Sequence, residues 1–258
     1  MQTETDILIF AGQSNMQGQT ESLPEPNFPV EGAVEYHYLT DSLVPLIHPV
    51  GESIGDSLLL GSDSGHGSLV PDCCRAYIHA TGRQAVAIHT ARGATKISEW
   101  LKGTPRYECA LKKIRSGIEK VKEKSVVGRI FYIWLQGESD AVGRTSEEDY
   151  MQMLTSYKND LKEAIGFDKF GIIEVGYFCR TVKWLTNRTN EERRACDETI
   201  MRAQERLVQK DEDFVMLSQI CKALSLESEY INPLADGHYN NKAMARIGTE
   251  VGKALAGL

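Results

Sequence analysis

Residues 7–16 read ILIFAGQSNM, a short apolar run followed by small and polar residues. A continuous apolar run of this length, rich in β-branched side chains, is typical of a strand that is buried on both faces of a parallel sheet. Four further runs of this kind follow at wide intervals, at residues 85–88, 130–135, 171–177 and 214–217. Together the runs predict a parallel sheet of about five strands.

Between these runs, apolar residues recur three or four positions apart, which is the spacing of an amphipathic helix. Such stripes lie at residues 107–121, 150–165, 200–207 and 243–255. Ser146 is the predicted N-cap of the second helix. The alternation predicts an α/β fold, a doubly wound sheet with right-handed crossovers. No repeat or linker-like composition divides the sequence, so we expect a single domain over residues 1–258.

The composition excludes several classes of protein. Of the 258 residues, 41% are hydrophobic and 25% are charged, which argues against disorder, a collagen-like repeat or a disulfide-dense miniprotein. The formal net charge of −7 argues against nucleic acid as the main partner, because neutralising phosphates requires Lys and Arg. The six cysteines are scattered without a C-x-x-C pair, and we expect reduced thiols.

The sequence also predicts a location and the absence of a cofactor. The first six residues contain no basic residue, and the apolar run at residues 7–11 is too short for a signal peptide or a membrane span. We expect a cytoplasmic protein with no membrane partner, or a secreted one if a leader has been removed. His37, His48, His66 and His79 match no standard metal-ligand spacing, so no metal and no cofactor are expected.

Residues 18–68 have the weakest pattern and hold five of the eight prolines. A long irregular stretch inside a compact domain is usually a functional loop or an insertion. This stretch follows the first predicted strand, and loops at the carboxyl ends of strands form the ligand crevice of an open α/β sheet. The same rule directs attention to the residues that follow the other strands.

Small and polar residues follow several of these strands. The segments are GQSNM at residues 12–16, HTARGAT at 89–95 and QGESD at 136–140, and DGHYN at 236–240 precedes the last helix. Together they supply a serine, a histidine, an aspartate, side-chain amides and glycine backbone. These are the groups that acyl transfer requires.

In acyl transfer a serine hydroxyl attacks once an imidazole takes its proton, and a carboxylate orients the imidazole. Ser14, His238 and Asp236 are the candidates for these three roles. The oxyanion of the tetrahedral intermediate also needs hydrogen-bond donors. The N–H groups of Ser14 and Gly93 and the side-chain amide of Gln136 are the candidate donors.

Four segments resemble, in order, the sequence blocks of the sialate O-acetylesterase and acetylxylan esterase branch (carbohydrate esterase family 6) of the SGNH hydrolases. They are GQSNM at residues 12–16, GATKISEW at 93–100, WLQGESDA at 134–141 and DGHYN at 236–240, so the resemblance covers nearly the whole chain. It implies a flavodoxin-like three-layer α/β/α sandwich, the SGNH hydrolase fold. It also implies a serine hydrolase mechanism without metal and the release of acetate from acetylated sugars.

The resemblance assigns roles to individual residues. It implies that Ser14 is the nucleophile that carries the acyl-enzyme, that His238 is the general base and that Gly93 is an oxyanion donor. Gln136 stands where this branch has an amide in place of the asparagine of other SGNH enzymes. Supporting or substrate-binding positions are Gln13, Asn15, Arg92, Thr95, Glu138 and Tyr239.

One departure from the family pattern leaves the acid of the triad open. Asp236 and His238 are separated by one residue, whereas the family commonly has Asp-x-x-His. If the Asp236 carboxylate points away from the imidazole, Ser14 and His238 act as a dyad, or Glu138 or Asp140 helps to orient the ring.

Several side chains near these blocks are candidates for substrate contact. The family often has Gly-Gly-Thr in this block, whereas the sequence here is Arg92-Gly93-Ala94-Thr95. Arg92 adds a cation near the site, which would meet an anionic substrate or pair with Glu138. Trp100, Trp184 and Tyr239 are candidates to stack on a sugar ring.

The sequence favours a small-molecule or oligosaccharide substrate with O-acetyl esters, of the acetylxylan or sialate type, and leaves two alternatives open. A lipid or thioester hydrolase of the wider SGNH group would need an apolar channel lined by residues 18–68. A non-catalytic sugar-binding protein of the same fold would bind a glycan without hydrolysing it. Competent residues at every nucleophilic and oxyanion position argue against the second alternative. These residues identify neither the sugar nor the oligomeric state.

Overall fold

The computed structural model describes residues 4–52 and 66–258. Within these ranges the strands are β1 (Glu4–Gly12), β2 (Ala33–His37), β3 (Ser42–Pro45), β4 (Gln84–His89), β5 (Val126–Leu135), β6 (Lys169–Ile173) and β7 (Phe214–Ser218). They form one sheet in the spatial order β3-β2-β4-β1-β5-β6-β7. Neighbouring strands are parallel, except that β2 and β3 are antiparallel.

The predicted α/β class and the parallel core of the sheet are confirmed. Numbered in chain order, the five predicted strands stand in the spatial order 2-1-3-4-5, which is the flavodoxin-like order. In this topology the ligand crevice opens at the carboxyl ends of the first and third strands, here β1 and β5. The register places Gly12 beside Leu135 at these ends.

The sheet is larger than the predicted five strands, because β2 and β3 extend it beyond β4. Both lie within residues 18–68, which the sequence predicts as an irregular stretch. The buried positions of β2 include a carboxylate, and this hides the strand pattern. Glu35 is only 1% exposed and accepts a 2.8 Å hydrogen bond from the Gly51 N–H. Residues 53–65 of the predicted loop lie outside the described residues.

Helices flank the sheet. The described ranges contain α1 (Ser14–Gln17), α2 (Val70–Thr81), α3 (Pro105–Lys122), α4 (Glu138–Val142), α5 (Glu147–Ile165), α6 (Phe178–Thr181), α7 (Asn190–Lys210), α8 (Ile220–Leu224) and α9 (Asn241–Ala256). The four predicted stripes fall in α3, α5, α7 and α9. Ser146 caps α5 as predicted, since its hydroxyl accepts a 3.1 Å hydrogen bond from the Asp149 N–H.

The apolar pattern of the sequence does not predict α2. Its buried side chains include Val70, Cys73, Cys74 and Tyr77, which have helical spacing but depend on cysteines as the apolar residues. The helix packs against α9, where a Cβ added to Gly252 would lie 2.2 Å from the Cys73 carbonyl oxygen. The two backbones therefore approach too closely for any larger residue at Gly252.

Aromatic side chains pack behind the carboxyl end of β5. Trp134 packs edge-to-face on Trp100, with 5.4 Å between ring centroids, and Tyr157 lies 5.2 Å from Trp134. All three side chains are completely buried. This packing fixes the position of the end of β5 and of the residues that follow it.

All six cysteines are free thiols in the part of the chain that the structure describes. No helix within residues 4–52 or 66–258 has the length and apolar character needed to cross a membrane.

Candidate active site

Ser14 lies in the crevice between β1 and β5. β1 ends at Gly12, where φ is +141° and an added Cβ would lie 2.0 Å from the Leu135 carbonyl oxygen. The Gln13 N–H donates a 3.0 Å hydrogen bond to that same oxygen, and α1 begins at the next residue. This tight turn places Ser14 in the wall of a cavity of about 700 Å³.

His238 reaches Ser14 from the loop before α9. Its Nε2 lies 2.8 Å from Ser14 Oγ. Two hydrogen bonds hold the loop: the Asn232 N–H donates to the His238 carbonyl oxygen at 2.8 Å, and the His238 N–H donates to Ala235 at 3.2 Å. Burial lowers the pKa of His238, so the ring favours the neutral form that accepts a proton.

The carboxylate of Asp236 does not contact His238, which corrects the expected triad. The His238 Nδ1 donates instead to the backbone carbonyl oxygen of Asp236, at 2.9 Å. Because a carbonyl only accepts, the hydrogen stays on Nδ1 and Nε2 is the base that faces Ser14. Across the turn at Gly237, a residue two positions before the histidine presents its carbonyl to the ring and directs its side chain elsewhere.

The Asp236 carboxylate binds Lys183. One oxygen accepts a 3.1 Å hydrogen bond from the Lys183 N–H, and the other lies 3.2 Å from Lys183 Nζ. The hydrogen bond from the Lys183 N–H lowers the pKa of Asp236, which keeps the carboxylate charged. Glu138 and Asp140, the other two candidates for orienting the ring, make their hydrogen bonds to other residues.

Gln136 is buried behind the cavity and does not face Ser14, which corrects its expected place in the oxyanion hole. Its Nε2 donates to the Thr95 carbonyl oxygen at 2.9 Å and to the Asp140 carboxylate at 2.6 Å. Both amide hydrogens are therefore used. Its Oε1 accepts a 3.2 Å hydrogen bond from the Tyr150 hydroxyl. The side chain ties β5 to the segment of Thr95.

Gly93 lies next to Ser14, as expected, but its N–H already has a partner. A Cβ added to Gly93 would lie 3.3 Å from the Ser14 Cβ, so no larger residue fits without displacement. The Gly93 N–H donates a 2.7 Å hydrogen bond to Oε1 of Gln17. Gln17 also lines the cavity and is not among the predicted site residues. The available signal is its position three residues after Ser14, on the same side of a helical turn.

Asn15 and Glu138 connect the segments that carry the cavity. The Asn15 amide donates to the Glu138 carboxylate at 2.8 Å, and its oxygen accepts from the Tyr239 N–H at 3.3 Å. Burial raises the pKa of Glu138. Gln13 adds a further link, because its Oε1 accepts a 3.1 Å hydrogen bond from the Ser139 N–H. These contacts are those of residues that hold the segments around the cavity together.

Of the three aromatic residues considered for sugar stacking, Trp184 is the one in the cavity wall, and it is 59% exposed. Trp100 is completely buried, and its indole N–H donates to the Thr95 hydroxyl at 3.0 Å. Tyr239 is buried, and its hydroxyl donates to the Cys221 carbonyl oxygen at 3.0 Å. Thr95 and Tyr239 therefore support the site from behind.

The cavity wall combines apolar and charged groups. Val142, Phe178 and Trp184 form its apolar part. Two cations, Arg92 and Lys96, line it as well, and neither forms an ion pair with a described residue. Of the two alternatives for Arg92, the pair with Glu138 does not form, since Glu138 is buried and one of its oxygens accepts from Asn15.

The lining carboxylates, by contrast, have cationic partners. Glu99 pairs with Arg106 at 3.2 Å and Asp236 with Lys183 at 3.2 Å. Among the described residues of the wall, the charge that has no close ion-pair partner is therefore positive. Within residues 4–52 and 66–258, no three His, Cys, Asp or Glu side chains cluster in a way that could hold a metal ion.

Solved structures share this architecture. A protein from Arabidopsis thaliana is 18% identical, with a TM-score of 0.69 over 96% of both chains. The protein NanS is 15% identical, with a TM-score of 0.65 over 98% of this chain and 97% of its own. A carbohydrate acetylesterase from Xanthomonas citri is 14% identical, with a TM-score of 0.51 over 97% of this chain and 54% of its own. At these identities the likeness shows a common α/β fold.

Sequence comparison gives the family. No curated protein matches the chain. The family model described as "Carbohydrate esterase, sialic acid-specific acetylesterase" matches residues 4–256, which is nearly the whole sequence. The chain therefore belongs to this family of carbohydrate acetylesterases, which are carboxylic ester hydrolases.

Proposed function

We propose that residues 1–258 form one serine esterase domain that removes O-acetyl groups from a carbohydrate through an acyl-enzyme on Ser14. The observation that carries the proposal is the 2.8 Å contact between His238 Nε2 and Ser14 Oγ. It lies in the wall of a cavity large enough for a sugar. Nucleophile and base are thus within hydrogen-bond reach, the geometry that nucleophilic catalysis needs.

In the proposed reaction His238 Nε2 takes the proton of Ser14 Oγ as that oxygen bonds to the acetyl carbonyl carbon. The tetrahedral intermediate then collapses, and His238 returns the proton to the departing sugar oxygen. Water, deprotonated by the same nitrogen, attacks the acetyl-serine, and His238 passes that proton to Ser14 Oγ as the acyl bond breaks and acetate leaves. The Asp236 carbonyl oxygen holds Nδ1 throughout, which makes Ser14 and His238 a dyad oriented by the backbone.

The proposed oxyanion donors are the N–H groups of Ser14 and Gly93. Gln136 is left out, because both hydrogens of its amide are bound to other acceptors. Gly93 can serve only after Gln17 Oε1 leaves its N–H. The substrate carbonyl oxygen would take that place.

The charge of the cavity favours a sialate over acetylxylan as the substrate. Arg92 and Lys96 line the cavity, and neither forms a close ion pair with a described residue, although Lys96 attracts the buried Asp140 carboxylate from a distance. A guanidinium binds a carboxylate well, and a neutral xylose unit offers none. We expect kcat/KM to be higher for an acetylated sialate than for an acetylated xyloside. The preference should weaken at high salt, because salt screens exposed charges.

The test of the function is acetate release from an acetylated sugar by the wild type and Ser14→Ala. We expect Ser14→Ala to lower kcat by about 10⁴- to 10⁶-fold with the fold intact. Ser98→Ala, at an exposed serine outside the cavity, is the matched control. Mass spectrometry of a quenched wild-type reaction should find one acetyl group on Ser14. Equal activity of Ser14→Ala and wild type would refute the assignment.

The same assay tests the two alternatives. A lipid or thioester hydrolase would prefer octanoyl to acetyl esters, whereas the described part of the predicted loop, residues 18–52 and 66–68, contributes Gln19 and no apolar side chain to the cavity wall. A sugar-binding protein would bind the acetylated sugar and release no acetate.

A further inference from the structure

Trp184 is exposed to solvent, whereas its neighbours along the chain are buried. Its neighbours Val182 and Leu185 are buried, at 0% and 6% exposure, and anchor the segment on both sides. Trp184 itself is 59% exposed and lines the cavity of Ser14 and His238. An indole left in contact with water beside a reactive pair presents a flat apolar face to whatever enters.

The backbone of this segment is held from two sides. From α7, the Arg193 guanidinium donates to the carbonyl oxygens of Val182, at 3.1 Å, and of Leu185. From the His238 loop, the Asp236 carboxylate accepts the Lys183 N–H at 3.1 Å. Asp236 therefore connects the segment of Trp184 directly to the loop of the base.

We propose that Trp184 is the platform on which the acetylated sugar ring stacks, and that Asp236 positions this platform relative to His238 through Lys183. The proposal rests on the proposed esterase function and names the sugar-binding part of the same site. The apolar C–H face of a pyranose would pack on the indole, while the ring hydroxyls meet polar residues of the cavity such as Gln13 and Gln19.

The other aromatic residue of the wall is less free to take this role. Phe178 packs edge-to-face on the His238 ring, with 5.9 Å between ring centroids. Its ring also fills the space beside Gly237, where an added Cβ would lie 2.4 Å from it. Phe178 thus supports the base, and Trp184 offers the exposed surface.

The two contacts of the carboxylate differ in strength. Lys183 Nζ belongs to a side chain that is 85% exposed, and such an ion pair contributes little. The hydrogen bond from the Lys183 N–H to a charged oxygen is the stronger contact. Asn at position 236 keeps an oxygen that can accept this N–H, whereas Ala removes the acceptor. The two substitutions therefore separate a positioning role from a catalytic one.

The experiment compares an acetylated sugar with ethyl acetate, an acetyl ester that has no ring to stack. For the sugar we expect KM to rise about tenfold or more in Trp184→Ala and in Asp236→Ala, and by less than about threefold in Asp236→Asn. The kcat for ethyl acetate should fall by less than about tenfold in both Asp236 variants. Phe28→Ala, at a 70% exposed aromatic outside the cavity, is the matched control.

Two results would overturn the proposal. If Asp236 were the acid of a triad, Asp236→Asn would lower kcat by about 10⁴-fold on both esters. If Trp184 were not a platform, Trp184→Ala would leave the KM for the sugar within about threefold of the wild type.

A binding measurement separates this proposal from the esterase assignment. Trp100 and Trp134 are buried, so sugar binding to Ser14→Ala should quench mainly the fluorescence of Trp184. If the wild type hydrolyses neither ester but the acetylated sugar still quenches this signal, the platform stands and the esterase function fails. If the wild type hydrolyses the sugar ester but saturating sugar does not quench the fluorescence of Ser14→Ala, the stacking role of Trp184 is refuted and the esterase function is not.

Discussion

Gln17 Oε1 holds the Gly93 N–H at 2.7 Å, and the proposed mechanism needs the same N–H for the oxyanion. Breaking one neutral hydrogen bond costs about 0.5–1.5 kcal/mol. This cost reduces the stabilisation of the oxyanion, because the substrate oxygen has to displace Gln17 first. We therefore expect Gln17→Ala to raise kcat/KM for ethyl acetate by about 2- to 10-fold. Gln19→Ala, at a second glutamine of the cavity that does not accept from Gly93, is the control.

A readout that does not depend on turnover is hydrogen exchange of the Gly93 amide. Its exchange should quicken in Gln17→Ala and stay slow in Gln19→Ala, because only the first variant removes the acceptor. A fall in kcat/KM together with faster exchange would mean that Gln17 assists the reaction instead of competing with the oxyanion.

His238 gives the pH dependence of the reaction. Burial is the main cause that lowers its pKa below the ordinary 6.5, and the proposed base must be neutral to take the proton of Ser14. The kcat/KM for ethyl acetate should rise as the pH increases through an apparent pKa below 6.5, and level off at higher pH. An acid limb centred above 6.5 would contradict the burial argument.

Residue contacts also explain which parts of the site were predictable. The proximity of Ser14, Gly93 and His238 could be predicted, because each lies in a segment that follows a strand or precedes a helix. The topology of the sheet brings such segments together. The orientation of Asp236 and of Gln136 depends on which acceptors and donors lie nearby. Lys183 takes the carboxylate, and Thr95 and Asp140 take the amide hydrogens. No residue spacing encodes that competition.

At the level of elements, the predicted strands are those whose side chains are apolar on both faces. β2 escaped prediction because a buried carboxylate interrupts its pattern, and α2 because two cysteines complete its stripe. The strand pattern of β2 and the helical stripe of α2 can be recognised only when Glu35, Cys73 and Cys74 are counted as buried. The topology of the sheet follows from the remaining five strands.

The start of β1 depends on Asp6, which is completely buried. Its carboxylate accepts from the Arg83 guanidinium at 2.6 and 2.7 Å, from the Tyr77 hydroxyl at 2.5 Å and from the Arg129 N–H at 2.8 Å. Burial alone would raise the pKa of Asp6, but these hydrogen bonds outweigh it and lower the pKa. The carboxylate thus joins α2, β5 and the start of β4 to β1.

Asp6→Ala should lower the free energy of unfolding by about 3–5 kcal/mol, because it leaves partly buried cations without their anion. Urea denaturation measures this. Glu4→Ala, which removes a 56% exposed partner of the same arginine, should cost less than about 1 kcal/mol. Asp6 is six residues from the end of β1 at Gly12, about 20 Å along the strand, so folded Asp6→Ala should keep its kcat/KM. A loss below 1 kcal/mol for Asp6→Ala would show that the cluster contributes no net stability.

The stability of the whole molecule should depend on pH through Glu174, a completely buried carboxyl just after β6. Burial is the main cause that raises its pKa to about 7, from an ordinary value of 4.5, and the neighbouring Glu205 carboxylate adds to the effect. The folded protein therefore keeps a proton that the unfolded chain loses between pH 4.5 and 7. Because the folded state then binds more protons than the unfolded one, the free energy of unfolding falls as the pH rises across this interval.

Glu174→Gln should remove this contribution and isolate it from other buried carboxyls such as Asp197, whose pKa is also about 7. At pH 8 the variant should be more stable than the wild type by on the order of 3 kcal/mol, and the difference should shrink towards pH 5. Urea denaturation at pH 5, 6, 7 and 8 measures it, and Glu205→Gln should reproduce only part of the gain. A constant difference between variant and wild type over this range would mean that Glu174 is ionised in the folded protein throughout.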